Sequence, residues 1–162
     1  MCIRDRFTAN PINQNTDEMM INSSWGLGEA VVSGTVTPDE YIIDKKTKEI
    51  KEKHVACKLS MVVKKEDGVG TEVVNVEDYL GKDAVEEESL TRDELNKLIE
   101  MGLKIENIYG SVQDTEWAFD KDTGEFYFLQ SRPITTIGAE EKEEKLIPLC
   151  KGLPASPGIG RG

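Results

Sequence analysis

One stretch, QDTEWAFDKDTGEFYFLQSRP at residues 113–133, constrains the fold of this chain more than any other. Strand-forming residues lie on both sides of the turn-forming residues DKDTG, and charged or amide side chains recur at intervals of two. A period of two is typical of a β-strand, because successive side chains point to opposite faces of a sheet. The stretch therefore predicts a β-hairpin with strands over 114–119 and 126–131.

The predicted hairpin places four polar side chains on one face, at the end away from the turn. With the turn centred near Thr123, Glu116 lies opposite Gln130, and Asp114 lies opposite Arg132. The alternating residues form the other face, which we expect to pack on a core: Trp117, Phe119, Tyr127 and Leu129.

Two interpretations fit this polar face. Solvated acid–base pairs are common across surface hairpins and contribute only about 0.2–1 kcal/mol each. The alternative is a ligand site, because carboxylate and amide oxygens suit Mg²⁺ and an adjacent arginine offers a planar fork of donors to phosphate. These groups together are the parts of a phosphoryl-transfer site. The pattern by itself leaves both interpretations open.

A helix is predicted over roughly 91–109. The residues TRDE at 91–94 form a capping box, in which Thr91 accepts a hydrogen bond from the backbone and Glu94 reaches back. Gly110 is a helix-stopping residue. The apolar residues and one glycine that occur next at helical spacing predict a stripe buried against a sheet: Leu95, Leu98, Ile99, Gly102, Ile105 and Tyr109.

Strand-like runs recur along the rest of the chain, at 18–22, around the charged turn DKKTKE, and at 68–76. The acidic stretch at 77–89 is predicted to be a solvated loop. Several strands with one solid helix indicate an α+β fold with a mostly antiparallel sheet.

Composition excludes several classes of function. The 162 residues include 20 Lys plus Arg and 31 Asp plus Glu, so the net charge of -11 disfavours binding to nucleic acid or to an anionic membrane. Cys2, Cys57 and Cys150 are scattered, and His54 is the single histidine, so neither a zinc site nor a disulfide framework is expected. We expect a cytoplasmic protein and a solvated His54.

The two ends differ in composition from the rest. MCIRDR at 1–6 is unrelated in character to the residues after it, and we expect it to be non-native sequence. The charge run that begins at 138 indicates a linker over 138–147. Residues 148–162, with two prolines and four glycines after Lys151, are expected to start another domain that is cut off.

Four motifs resemble the phosphoenolpyruvate synthases and related phosphoenolpyruvate-utilising enzymes. QDTEWAFDKDTGEFYFLQSRPIT is similar to a signature of that family, as are SSWGLGEAVVSGTVTPDEY at 23–41 and FTANP at 7–11. KGLPASPGIGRG at 151–162 resembles the opening of the family's swivelling phosphohistidine domain. The resemblance covers about residues 7–162.

The resemblance implies that residues 7–137 are the second, C-terminal half of an ATP-grasp domain, with ATP bound between two α+β halves. In the family, ATP pyrophosphorylates a histidine of the swivelling domain, phosphate leaves by hydrolysis and AMP is released. The remaining phosphoryl group is then carried to pyruvate. The first ATP-grasp half and the phosphohistidine motif are absent here, so this chain alone is expected to be inactive.

Residue roles are implied by the same resemblance. Glu116 and Gln130 would hold Mg²⁺ or bridge it to ATP, and Arg132 would contact the β- and γ-phosphates. Asp114 would orient the metal shell or Arg132. Thr115 stands where the family has isoleucine, outside the polar row.

The motif GLGE leaves two interpretations open. Gly26 and Gly28 would let the backbone approach a ligand closely, or they would form a structural turn. Glu29 beside them would be an acid in the first turn of a helix, with no chemical role.

Alternatives to a phosphoenolpyruvate synthase remain. Rifampicin phosphotransferase shares the ATP-binding and phosphohistidine domains, and pyruvate phosphate dikinase is more distant in its motifs. A non-catalytic acidic binding module is the alternative of a different class. The oligomeric state is not indicated by the sequence.

Overall fold

The computed structural model describes residues 2–12, 15–32, 34–121 and 123–134, with backbone alone at 2–7 and 32. The predicted linker and the predicted start of the next domain, residues 138–162, lie outside the described residues. Their assignment therefore stays a prediction.

Strands dominate the described part of the chain. They are β1 (Cys2–Phe7), β2 (Glu18–Ser23), β3 (Asp39–Asp44), β4 (Ile50–His54), β5 (Ser60–Lys64), β6 (Thr71–Asn75), β7 (Gln113–Asp120) and β8 (Glu125–Pro133). The helices are α1 (Glu29–Val32), α2 (Val76–Leu80) and α3 (Arg92–Tyr109), with a 3-10 turn at Lys82–Val85.

These strands form two antiparallel sheets. The larger has the order β4-β3-β2-β1-β7-β8, and the smaller pairs β5 with β6. The predicted α+β class, with mostly antiparallel sheet and one long helix, is confirmed. No helix in the described ranges is long and apolar enough to cross a membrane.

Helix α3 begins and ends where the sequence predicts. Thr91 Oγ1 accepts from the Glu94 backbone at 3.3 Å, and Glu94 Oε2 accepts from the Thr91 backbone at 2.7 Å. Gly110 closes the helix in the left-handed conformation at φ 67° and donates to the Glu106 carbonyl. Both reciprocal bonds of the capping box are therefore present.

The apolar stripe of α3 packs on one face of the larger sheet. Leu95, Leu98 and Ile99 are buried beside Ile21, Tyr41 and Trp117 in one cluster. Ile105 is half-buried. Tyr109, predicted to belong to the stripe, is the last helical residue and is 61% exposed, so that part of the prediction is wrong.

The acidic stretch after β6 is not the loop predicted from its composition. The Asn75 side chain accepts from the Glu77 backbone at 2.9 Å and caps α2. Val76 is fully buried in a cluster with Trp25 and Met61. Capping and the burial of one apolar residue outweigh the charged composition, so the stretch becomes a short helix followed by a 3-10 turn.

Strand β1 lies in the middle of the larger sheet, although its composition sets residues 1–6 apart from the rest of the chain. Residue 7 pairs with Met20 on one side and with Asp114 on the other. The segment therefore takes part in the fold as the strand that joins β2 to β7. Its non-native origin stays a prediction.

Candidate functional site

The hairpin of β7 and β8 has the predicted register at its polar end. Glu116 is paired with Gln130, and Asp114 is paired with Arg132. Directly opposite residues of an antiparallel pair project from the same face, with Cβ atoms about 4.5–5.5 Å apart. The four polar side chains therefore share one face of the sheet.

A β-bulge separates this polar end from the apolar end of the hairpin. The pair after Glu116–Gln130 joins Trp117 to Phe128, so Leu129 is an extra residue without a direct partner. One extra residue reverses the alternation of a strand on either side of it. The core face of β8 consequently carries Phe126 and Phe128 instead of the predicted Tyr127 and Leu129.

The exposure of these side chains agrees with the bulge. Tyr127 is 43% exposed and Leu129 is 50% exposed. The Phe126 ring lies 4.6 Å from that of Phe119 and 5.6 Å from that of Trp117, measured between centroids. Aromatic packing therefore anchors the underside of the hairpin to the core, whereas the other face keeps its polar groups.

Arg132 is held within the polar row by two weak contacts. Its Nη2 donates to Gln130 Oε1 at 2.9 Å and lies 3.4 Å from Glu116 Oε1. The Arg132 and Glu116 side chains are 59% and 41% exposed, so the ion pair contributes about 1 kcal/mol or less to stability. Ligand binding would displace these contacts at little cost.

Asp114 is placed differently from the other three. Its Oδ1 is buried and accepts no hydrogen bond in the described part of the chain. No ion pair joins Asp114 to Arg132 among the described residues, although they are directly opposite each other. A buried carboxylate oxygen without a donor is costly, which is typical of a site that is completed by a ligand.

The chemistry of the donor set suits Mg²⁺. Glu116 and Gln130 offer one carboxylate and one amide oxygen, and Mg²⁺ usually takes only one or two protein ligands, with phosphate oxygens and water completing its shell. No group of three or more His, Cys, Asp or Glu suited to a metal is found among the described residues.

The glycine motif has a structural explanation at Gly26. This residue has φ +82°, and a Cβ built on it would clash with the Val62 carbonyl oxygen. The next residue, Leu27, donates its N–H to the same oxygen at 2.7 Å. The loop therefore approaches β5 more closely than any residue with a side chain would allow.

The other sequence candidates lie apart from the hairpin site. Glu29 is in the first turn of α1, as predicted, and accepts from Thr71 Oγ1 at 3.0 Å. His54 is exposed at the end of β4, as predicted. Cys57 is exposed and has no disulfide.

A buried ion pair was missed by the sequence interpretation. Lys58 donates to Asp39 Oδ1 at 2.5 Å, and both side chains are fully buried. Asp39 also accepts from the Ala56 backbone and from Ser89, and Ser89 contacts Ser23 at the end of β2. The one signal in the sequence was a lysine within an otherwise strand-like apolar run.

Residues 6–148 match the family described as "Pyruvate phosphate dikinase, AMP/ATP-binding domain". The chain belongs to this family. The polar hairpin lies within the matched region, and the resemblance seen in the motifs is confirmed.

Individual relatives agree with the family match. The phosphoenolpyruvate synthase of Pyrococcus furiosus is 56% identical over 96% of this chain and 20% of its own length. The probable phosphoenolpyruvate synthase of Methanocaldococcus jannaschii is 50% identical over 96% of this chain and 13% of its own length. The rifampicin phosphotransferase of Bacillus subtilis is 37% identical over 81% of this chain and 14% of its own length. The chain spans about a fifth of the length of the first two of these relatives, or less.

Proposed function

We propose that the hairpin of β7 and β8 binds Mg·ATP for phosphoryl transfer. The register that pairs Glu116 with Gln130 and Asp114 with Arg132 carries this proposal, because it brings a carboxylate, an amide and a guanidinium to one face. Because the chain belongs to an AMP/ATP-binding domain family, we infer that the ligand is ATP.

Each residue of the polar row has a role in this proposal. Glu116 and Gln130 hold Mg²⁺, which when bound neutralises charge on the phosphates. Arg132 binds the β- and γ-phosphates and offsets negative charge that develops during transfer. Asp114 Oδ1 is buried without a donor in the described part of the chain. It would accept a hydrogen bond from water on the metal, or from the Arg132 guanidinium once Arg132 has turned toward the phosphates.

The fold is consistent with the second half of an ATP-grasp domain over residues 7–137. Helix α3 covers one face of the antiparallel sheet, and the polar row lies on the other face, where the Glu116 and Arg132 side chains are 41% and 59% exposed. In this proposal ATP lies between that face and a first α+β half. The catalytic lysine of the family belongs to the first half, so we expect the chain by itself to bind Mg·ATP weakly and to transfer no phosphate.

The proposed reaction of the whole protein is the synthesis of phosphoenolpyruvate from pyruvate. ATP pyrophosphorylates a histidine of the swivelling domain, phosphate is lost by hydrolysis, AMP leaves, and the remaining phosphoryl group passes to pyruvate. The support is the identity to phosphoenolpyruvate synthases over 96% of this chain. We place the protein in the cytoplasm, where ATP and pyruvate are available.

A second acceptor is favoured by a specific observation. The match to a rifampicin phosphotransferase covers 81% of this chain, so the ATP-binding part is similar in enzymes that transfer phosphate to a drug. Pyruvate phosphate dikinase is a third candidate, since its AMP/ATP-binding domain gives the family its description. The three candidates share an ATP-binding part, and the final acceptor is pyruvate in a synthase or dikinase and rifampicin in the third.

Binding of Mg·ATP to the full-length protein tests the proposal. We expect Mg·ATP, but not ATP with excess chelator, to protect the region around Glu116 and Gln130 from hydrogen exchange. Isotope from ATP should appear on a histidine of the full-length protein and not on this chain alone. A binding module without a nucleotide role would show neither protection nor labelling, and that result would reject the proposed function.

A further inference from the structure

The end of strand β2 and the residue that follows it carry unpartnered polar atoms, and Asn22 of β2 lies on the same face of the sheet as the hairpin site. Asn22 Oδ1 and Ser24 Oγ are both buried and have no hydrogen-bond partner in the described part of the chain. Ser24 is 2% exposed, so its hydroxyl is removed from bulk solvent. Two such atoms within three residues of one strand end are costly unless something else binds there.

The register across β1 shows that Asn22 and Glu116 lie on one face. Residue 7 of β1 pairs with Asp114 on one side and with Met20 on the other, so Asp114 and Met20 share a face. Strand β1 is antiparallel to both neighbours, so β2 and β7 run in the same direction. Two residues further along each strand, Asn22 and Glu116 therefore lie on that face at the same level, on either side of residue 5 of β1.

The distance between Asn22 and Glu116 suits a nucleotide. One strand separates β2 from β7, so the backbones at Asn22 and Glu116 are about 10 Å apart. Arg132 and Gln130 extend the row away from β2. A ligand that reaches from Arg132 past Glu116 toward β2 would be an extended one, such as a nucleoside triphosphate with its cation.

The charge beside Asn22 decides which part of such a ligand it meets. Glu40 of β3 is directly opposite Asn22 and is partly buried. A carboxylate at this position repels phosphate oxygens, whereas it tolerates a hydroxyl or a water molecule on a cation. The ligand group at Asn22 is therefore one that donates hydrogen bonds.

We propose that Asn22 is a further contact of the bound nucleotide, with its amide oxygen accepting a hydrogen bond from a ribose hydroxyl or from water on Mg²⁺. This inference rests on the proposed Mg·ATP site. Asn22 is only partly buried, and a half turn of its amide brings the oxygen outward. That turn breaks no hydrogen bond of the oxygen, since it makes none in the described part of the chain.

The test uses the full-length protein, with Mg·ATP binding measured by calorimetry. Asn22→Leu removes the amide at similar volume, and we expect it to weaken binding about tenfold. The matched control is Asn96→Leu on α3, an exposed residue of the helix on the opposite face of the sheet, which should bind like the parent. Glu116→Gln serves as the reference for the metal site itself.

Thermal unfolding without nucleotide separates a ligand contact from a structural role. Asn22→Leu removes a buried oxygen that has no partner, so the unliganded protein should unfold at the same temperature as the parent or a higher one. A structural amide would instead lower the unfolding temperature together with the affinity.

Altered ligands distinguish the two donors. If a ribose hydroxyl is the donor, 2′-deoxy-ATP or 3′-deoxy-ATP should bind the parent protein more weakly than ATP does. The Asn22→Leu variant should bind the deoxy nucleotide and ATP with the same affinity. If water on the cation is the donor, Asn22→Leu should instead raise the Mg²⁺ concentration needed for binding.

The outcomes separate this inference from the proposed function. A parent protein that binds no Mg·ATP would reject the proposed function itself. Suppose that the parent binds Mg·ATP, that Glu116→Gln does not, and that Asn22→Leu binds within about twofold of the parent. This pattern would overturn only the role of Asn22. The role of Asn22 would also be overturned if Asn22→Leu weakened binding but the loss depended on neither the ribose hydroxyls nor the Mg²⁺ concentration.

Discussion

Glu116 of β7 lies directly opposite Gln130 of β8, and the two side chains project from the face of the sheet opposite α3. The extra residue Leu129 then lets the neighbouring aromatic residues turn to the core. One hairpin therefore has a polar row on one face and an aromatic anchor on the other.

Charge at the polar row is expected to control the ATP half-reaction of the full-length protein. Glu116→Gln keeps the shape and removes the negative ligand of Mg²⁺, and Arg132→Ala removes the cation at the phosphates. Stabilisation of this kind is worth about 10²–10³ in rate. The measurement is the rate of histidine phosphorylation by ATP, compared with transfer from phosphorylated enzyme to pyruvate.

Two exposed residues of α3 provide controls for these variants, since α3 lies on the other face of the sheet. Glu100→Gln and Arg92→Ala should phosphorylate the histidine at the parental rate. Rates within about threefold of the parent for both hairpin variants would show a solvated surface pair instead of a transfer site.

The bulge at Leu129 predicts unequal effects of truncating two adjacent residues. Phe128 packs against the core cluster but is only partly buried. Phe128→Ala should therefore lower the free energy of unfolding by about 2–3 kcal/mol, which is less than the same substitution costs at a fully buried phenylalanine. Leu129 is 50% exposed, and Leu129→Ala should cost about 1 kcal/mol or less. Urea denaturation followed by tryptophan fluorescence measures both. The reverse order of the two effects would mean that β8 alternates without a bulge.

Close approach at Gly26 predicts a strong penalty for any side chain there. Gly34 also has positive φ, but a Cβ on it would meet nothing within 4 Å. Gly34→Ala should therefore cost about 1–2 kcal/mol for its backbone conformation alone. Gly26→Ala should cost about 1–3 kcal/mol more, because the Val62 carbonyl must move. Equal unfolding free energies for the two variants would contradict the contact with β5.

The buried pair of Asp39 and Lys58 predicts a large effect of removing one partner. Lys58→Met leaves a buried carboxylate without its cation and should destabilise the protein by about 3–5 kcal/mol. Adding Asp39→Asn to Lys58→Met removes the buried charge and should restore part of the lost free energy of unfolding.

An exposed ion pair gives the matched control for Lys58. Lys46 and Asp17 are 76% and 67% exposed with 3.4 Å between their charged atoms. Lys46→Met should change the free energy of unfolding by less than about 1 kcal/mol. Similar losses for the two lysine variants would show that the Asp39–Lys58 pair is not buried.

Local patterns in the sequence determined α3, the β7–β8 hairpin and the polar row on its face. The capping box lies within four residues, and the pairing of Glu116 with Gln130 results from the position of the turn and a period of two. Hydrogen bonds between near neighbours need no information from distant parts of the chain, so these features were predicted correctly.

Only the tertiary structure decided which side of β8 meets the core, what Gly26 approaches and where Lys58 finds its partner. Strict alternation assigned Tyr127 and Leu129 to the core, but packing against α3 and Trp117 selects Phe126 and Phe128 and expels one residue as a bulge. Each of these outcomes depends on contacts between segments far apart in sequence. A period of two carries no information about such contacts, because an extra residue reverses the alternation without changing the local pattern.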